Sequence, residues 1–154
     1  MRRIGSMARY VWAFPATLVG VMFSVIALGA GATVHFVGGT MEVSGGSVSR
    51  LIGLMPVRLR FTAITLGHVI VGIDHDALRR ARFHEQVHVQ QYERWGVLLF
   101  ALYILSSFVQ LVRSRHPYFD NCFEREAQER DAARLRSEHH AQPKIDARGT
   151  IALQ

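Results

Sequence analysis

The run Arg82-Phe83-His84-Glu85-Gln86-Val87-His88-Val89-Gln90-Gln91 constrains this chain more than any other feature. It holds the pattern His-Glu-x-x-His. On a helix, residues four apart share one face, so two imidazoles at this spacing can reach a single ion, and zinc accepts nitrogen ligands. Glu85, one step on from His84, can then address a water beside the ion rather than the ion itself. With 8 His and 7 Glu in 154 residues, composition alone predicts roughly 0.02 such matches. The pattern therefore carries information, provided that it lies on a helix and that a third ligand exists.

The helix is expected over residues 77–95, which contain no Gly and no Pro. Asp76 is the expected N-cap, its carboxylate taking a hydrogen bond from an otherwise unpaired backbone N–H. Leu78, Ala81, Val87, Val89 and Trp95 supply apolar contacts; Arg79, Arg80, Arg82, Glu93 and Arg94 supply a solvated side. Gly96 is placed to end the helix. Gln91, three residues past His88, shares the ligand face. It could support a ligand or polarise a substrate, or simply be polar on a partly exposed face.

The net charge of +6 is nearly all arginine. Such a balance suits nucleic acid or an anionic membrane surface. However, the arginines flank apolar stretches and alternate with acids, with no run of five like charges and no zinc-finger or RNA-binding signature. No nucleic-acid partner is expected. The single Cys122 excludes an intrachain disulfide.

Residues 10–34 carry no charge, and Arg2, Arg3 and Arg9 precede them. As one helix they would cover about 37 Å, enough for a hydrocarbon core of about 30 Å. The next Lys or Arg is Arg50, so the positive-inside rule puts the N-terminus in the cytoplasm of a bacterial cell and the chain beyond residue 34 outside it. Ala30-Gly31-Ala32 also fits a signal-peptide cleavage site, but the apolar run exceeds the usual 7–15 residues. The reading is an uncleaved anchor in the cytoplasmic membrane with an extracytoplasmic domain.

Residues 33–73 read as β. Thr33-Val34-His35-Phe36-Val37 stops at Gly38-Gly39. Met41-Glu42-Val43 and Ser47-Val48-Ser49 flank Gly45-Gly46, a hairpin signal. Arg58-Leu59-Arg60-Phe61 alternates, and residues 64–73 make a further strand pair broken near Gly67-His68. A small, mostly antiparallel sheet is expected, with an edge strand near residues 65–72, and more narrowly 66–70, beside the metal helix. His35 and His68 sit in these patterns and read as satisfied or exposed imidazoles. Asp74-His75-Asp76 reads as a strand-to-helix turn.

Residues 96–112 are again apolar, with Gln110 the one strongly polar residue. They form a second span or a core or interfacial helix. His116-Pro117-Tyr118 is a break, and His116 could approach the cleft. A polar helix capped by Asp120 or Asn121 is expected over 122–138, with Cys122 as a small buried hydrophobe. Residues 139–154 read as a disordered tail, in which His139-His140 are not ligands.

A catalytic zinc usually takes three protein ligands, and the best third candidate lies in Asn121-Cys122-Phe123-Glu124-Arg125-Glu126-Ala127-Gln128. Here the chain resembles the gluzincin zinc peptidases, most of all their small membrane-bound bacterial members related to the CAAX prenyl endopeptidases and the heat-shock membrane protease. Those carry His-Glu-x-x-His on one helix and a Glu, often in Glu-x-x-Ala-Asp, on a later one. Glu124-Arg125-Glu126-Ala127 matches Glu-x-x-Ala. Gln128 stands where the family often has an Asp that steadies a ligand His, and could accept an N–H bond without that charge. The resemblance covers about residues 66–130. Glu124 and Glu126 lie 200° apart on a helix, so only one faces the metal helix. Ala127 and Gln128 share the Glu124 side, where a small Ala permits close approach, while Glu129 and Arg130 mark the Glu126 side as solvated. Glu124 is preferred as the ligand; as the third residue after Asn121, it could instead only complete a capping box.

The expected architecture is α+β: an anchor over 1–34, a zincin-like metallopeptidase domain over 35–138 and a tail over 139–154. That domain holds the sheet, the His-Glu-x-x-His helix, an apolar helix and the Glu-bearing helix. The resemblance implies a membrane-anchored zinc endopeptidase with Zn²⁺ on His84, His88 and Glu124, Glu85 as general base, and a peptide or protein substrate. A non-catalytic metal-binding membrane protein of the same fold is the alternative. If residues 96–112 crossed the bilayer, Glu124 would sit about 30 Å from the histidines, so ligation and a second span exclude each other.

Overall fold

The computed structural model describes residues 2–46, 48, 50 and 62–141. Helix α1 (Arg2–Gly29) leads into strands β1 (Thr33–Val37), β2 (Thr40–Ser44), β3 (Ala63–Leu66) and β4 (Val69–Gly72). Helices α2 (His75–Trp95), α3 (Leu98–Val112) and α4 (Cys122–Ala141) follow. The class is α+β.

The uncharged run at 10–34 is divided. The helix stops at Gly29, and β1 begins at Thr33. Within α1, Met7–Gly29 is 23 residues long and apolar enough to cross a membrane. This helix is docked rather than a bare tether. Ala13, Ala16, Ser24 and Ala27 form a buried small-residue stripe at helical spacing. Ala13 and Ala16 pack with Tyr92, Leu99 and Phe123; Ala27 packs with Val43, Val69 and Val71 of the sheet. Gly20 completes the stripe: a Cβ there would lie 2.6 Å from Val69 Cβ and 2.8 Å from the Leu66 carbonyl, so the backbones meet only because the side chain is absent. The large residues of α1, among them Val11, Phe14, Met22, Phe23 and Ile26, point outward and are exposed.

The sheet order is β1-β2-β4-β3; the sheet is mixed, with two antiparallel pairings, as expected, and one parallel pairing that was not. β1 and β2 pair antiparallel across Gly38-Gly39, both at positive φ. β2 and β4 pair in parallel, Met41 opposite Val69, and β3 closes on β4 antiparallel. Of the two Gly-Gly turns, the earlier one makes the hairpin. Ser47, Ser49 and residues 58–61 lie outside the described residues. The expected edge strand is displaced: residues 66–70 straddle the β3–β4 turn, β4 is interior and wholly buried, and the edge is β3.

Asp74, not Asp76, caps α2; its Oδ1 accepts the Ala77 N–H at 2.7 Å. Asp76 lies one step into the helix and pairs with Arg79. Arg82, expected on the solvated side, forks onto buried Glu42 of β2 at 2.7 and 2.8 Å, pinning α2 over the sheet. Gly96 caps the other end, its N–H bonding the Tyr92 carbonyl. α3 leaves at 112° to α2. It buries Leu99 and exposes Leu98, Phe100, Ile104, Phe108 and Leu111. Asn121 caps α4 through Oδ1 to the Phe123 N–H, while its Nδ2 donates to the Tyr103 carbonyl and Ser107 Oγ. α4 is thereby fastened to α3. Cys122 is exposed rather than buried. Residues 139–141 continue α4 where a tail was expected; 142–154 lie outside the described residues.

Candidate metal centre

Helical spacing puts His84 and His88 on one face of α2, with their Nε2 atoms 3.2 Å apart. Glu124, in the first turn of α4, reaches the same point. Its Oε2 lies 3.3 Å from His84 Nε2 and its Oε1 3.4 Å from His88 Nε2. Close approach of the two helices is possible because Ala127, one turn along α4, is fully buried with nothing beyond Cβ to hold them apart. Together the three side chains form a group that could hold a metal ion.

The spacing fits an ion. Bonds of about 2.0–2.1 Å in tetrahedral geometry place neighbouring donors about 3.3 Å apart. Glu124 is 3% exposed, and its Oε2, despite the His84 approach, has no hydrogen-bond partner. A buried carboxylate oxygen left without a bond is costly, and a cation among these donors removes that cost. Burial opposes the charge on Glu124, but the nearby His84 and His88 rings and the hydrogen bond from Tyr103 outweigh it and hold the carboxyl far below the usual range. Burial likewise opposes the charge on His88, and Glu124 raises its pKa nonetheless.

Around this group lies a second set of contacts. Tyr103 Oη donates to Glu124 Oε1 at 2.8 Å. The Tyr118 hydroxyl is pushed well above the usual phenol range, first by burial and then by Glu124. Glu85, 6% exposed, accepts a hydrogen bond from Thr65 Oγ1 of β3 at 2.7 Å. Gln91 is buried, and its Oε1 meets His88 Nδ1 at 2.9 Å; this supports the ligand-supporting reading over a partly exposed polar residue. A cleft of about 240 Å³ opens over the site. It is lined by Ala63, Ile64 and Leu66 of β3, by Leu99, Phe100 and Tyr103 of α3, and by Glu85, His88 and Glu124.

Two expected participants are elsewhere. Gln128 is exposed on α4. His116 is exposed, and its Nδ1 accepts the backbone N–H groups of Tyr118 and Phe119, so it organises the turn before α4. Glu126 is not on a solvated face: it is partly buried against Gln91 at 2.9 Å. His68 is a satisfied imidazole, stacked on Tyr10 and bonded to Thr17. Thr65, Tyr103 and Tyr118 escaped the sequence reading, and Glu126 enters it only as the rival of Glu124. Tyr103 sits within an apolar run, and only the fold of α3 back over α2 gives its hydroxyl a use.

No family model, curated protein or solved structure matches this chain.

Proposed function

We propose that this protein is a membrane-bound zinc metalloendopeptidase with a zincin-like core and a gluzincin-type ligand set. The observation that carries the reading is the convergence of His84, His88 and Glu124 at metal-ligand spacing, with Glu85 lining the same cleft as His88 and Glu124. Two imidazoles and one carboxylate are a donor set that catalytic zinc uses, with one position left for substrate or water. Zn²⁺ bound there would polarise a carbonyl and ease deprotonation of water near neutral pH.

The chain's own groups supply the rest. Glu85, held at Oε2 by Thr65, takes the proton of the attacking water and passes it to the departing amine. Tyr118 stays protonated and so remains a hydrogen-bond donor near Glu124. An extended peptide has a place to pair on β3. Thr62 accepts the Ile73 N–H, and in an antiparallel ladder this turns the N–H and C=O groups of Ala63 and Thr65 away from β4. Among the described residues no strand pairs with that edge.

The exposed apolar faces of α1 and α3 support a reading in which the protein sits at a bilayer. The two helices meet in the cluster of Ala13, Ala16 and Leu99. α3 is 15 residues long, about 22 Å and short of a hydrocarbon core of about 30 Å. It lies at the membrane without crossing, which keeps all three ligands on one side.

The Thr65–Glu85 bond also suits the second reading, a non-catalytic metal-binding protein in which it clamps β3 to α2. Glu85→Gln separates the two. It keeps shape and metal but lacks the base, so against a peptide library turnover should fall by several orders of magnitude with zinc retained. Turnover that survives this change contradicts the mechanism; zinc without turnover in the wild type favours the second reading.

A further inference from the structure

We propose that Gln91 and Glu126 act as a pair of positioning residues that decide which ring nitrogen of His88 is free to bind metal. The inference rests on the reading of His84, His88 and Glu124 as a metal centre. It goes beyond that reading by assigning the group that prepares His88, a task the resemblance would give to position 128, where Gln128 is exposed.

Hydrogen-bond direction makes the assignment. Gln91 is 1% exposed, so each of its polar atoms needs a partner within the protein. Its Nε2 lies 3.1 Å from the Phe123 carbonyl and 2.9 Å from Glu126 Oε2. A carbonyl and an ionised carboxylate only accept, so the amide nitrogen must be the end that faces them. The amide oxygen is then the end 2.9 Å from His88 Nδ1, and an oxygen there requires a proton on Nδ1. A neutral imidazole has one ring proton. Nε2 therefore carries the lone pair, and Nε2 is the atom that faces Glu124 and His84. Glu126 is itself held by Arg130 at 2.6 Å and by Arg94 at 3.5 Å.

Spacing on a helix makes Glu124 and Glu126 rivals for one ligand role. Here they have consecutive tasks. The first turns of α4 deliver the third ligand through Glu124, and through Phe123 and Glu126 they orient the amide that sets the tautomer of His88. Docking of α4 thus completes and prepares the site in one event. Partners of this kind around a ligating histidine are worth about 10–100-fold in metal affinity.

Two measurements on the full chain in detergent micelles test the proposal. The first uses ¹⁵N-labelled, chelator-treated protein at a pH above the raised His88 pKa, set by following the ring's own titration until it is neutral. Long-range ¹H–¹⁵N correlation should show His88 protonated at Nδ1 in the wild type, and a shift toward Nε2 protonation in Gln91→Leu. Nε2 protonation in the wild type, or a tautomer unchanged in Gln91→Leu, overturns the proposal. The second is a Co²⁺ titration. Gln91→Glu sets two carboxylates against each other and removes the donor to Phe123, so affinity should fall about 10–100-fold. Combining it with Glu126→Gln lets the new amide donate to the new carboxylate, which still accepts from His88. Affinity should recover to within a few-fold. A double variant as weak as Gln91→Glu alone overturns the pairing. Wild-type protein that binds no Co²⁺ would sink the metal reading, and the tautomer measurement would still decide this one.

Discussion

Gly20→Ala reports whether α1 is part of the fold or a tether, because the two cases differ in sign. In a helix facing only lipid or detergent, replacing Gly by Ala gains up to about 1 kcal/mol of helix propensity. In the docked helix the new methyl would lie 2.6 Å from Val69 Cβ and 2.8 Å from the Leu66 carbonyl. Both are inside contact distance, and one neighbour is backbone. Overpacking of this kind costs about 1–3 kcal/mol, so the net change should be about 0–2 kcal/mol destabilising. At about 2–8 °C per kcal/mol for domains near this size, Tm should drop by a few degrees. Thermal unfolding in detergent, followed by far-UV circular dichroism, is the assay. Val21→Ala is the control on an outward position of the same helix. A rise in Tm for Gly20→Ala would refute docking of α1 on β4.

Two further predictions concern charge and placement. In metal-free protein the pKa of His88 is raised and that of Glu124 lowered. Their pair should therefore stabilise fully between the ordinary values of about 4.5 and 6.5. This contribution fades as pH rises through the folded His88 pKa, or falls through that of Glu124. Tm against pH with chelator should show this window in wild type and lose it in Glu124→Gln; identical profiles would contradict the pairing. For topology, cysteines introduced at Arg80 and Ser137, with Cys122 replaced by Ser, should behave alike toward an impermeant thiol reagent in intact cells, both labelled or both protected, because they lie on the same face of the bilayer. Labelling from opposite faces would show that α3 crosses the bilayer.

Sequence made helix α2 and its His-Glu-x-x-His spacing legible because the signal is local. The spacing of His84 and His88, the absence of Gly and Pro, and Gly96 at the end all act within α2. Glu124 was also reachable, since Ala127 marks the face of α4 that approaches α2, and that residue is fully buried. What escaped depends on contacts between distant segments. Glu126 reads as solvated from its neighbours Glu129 and Arg130, yet Gln91 comes in from α2 to meet it. Asp74 and Asp76 are both plausible caps, and backbone geometry selects Asp74. The parallel pairing of β2 with β4 joins residues about 28 apart, following the register of Met41 with Val69, and no local alternation reports it. The small residues of α1 are uncharged, as an anchor requires, and only the folded chain shows that they form a docking stripe.

Metal analysis of the purified full chain is the most direct test of the central claim. Wild-type protein should carry close to one zinc per chain after dialysis against metal-free buffer. His84→Ala, His88→Ala and Glu124→Ala should each lose it, with helical content unchanged by circular dichroism. Zinc retained in all three variants, or a wild-type protein that is folded and takes up no zinc when it is supplied, would contradict the account.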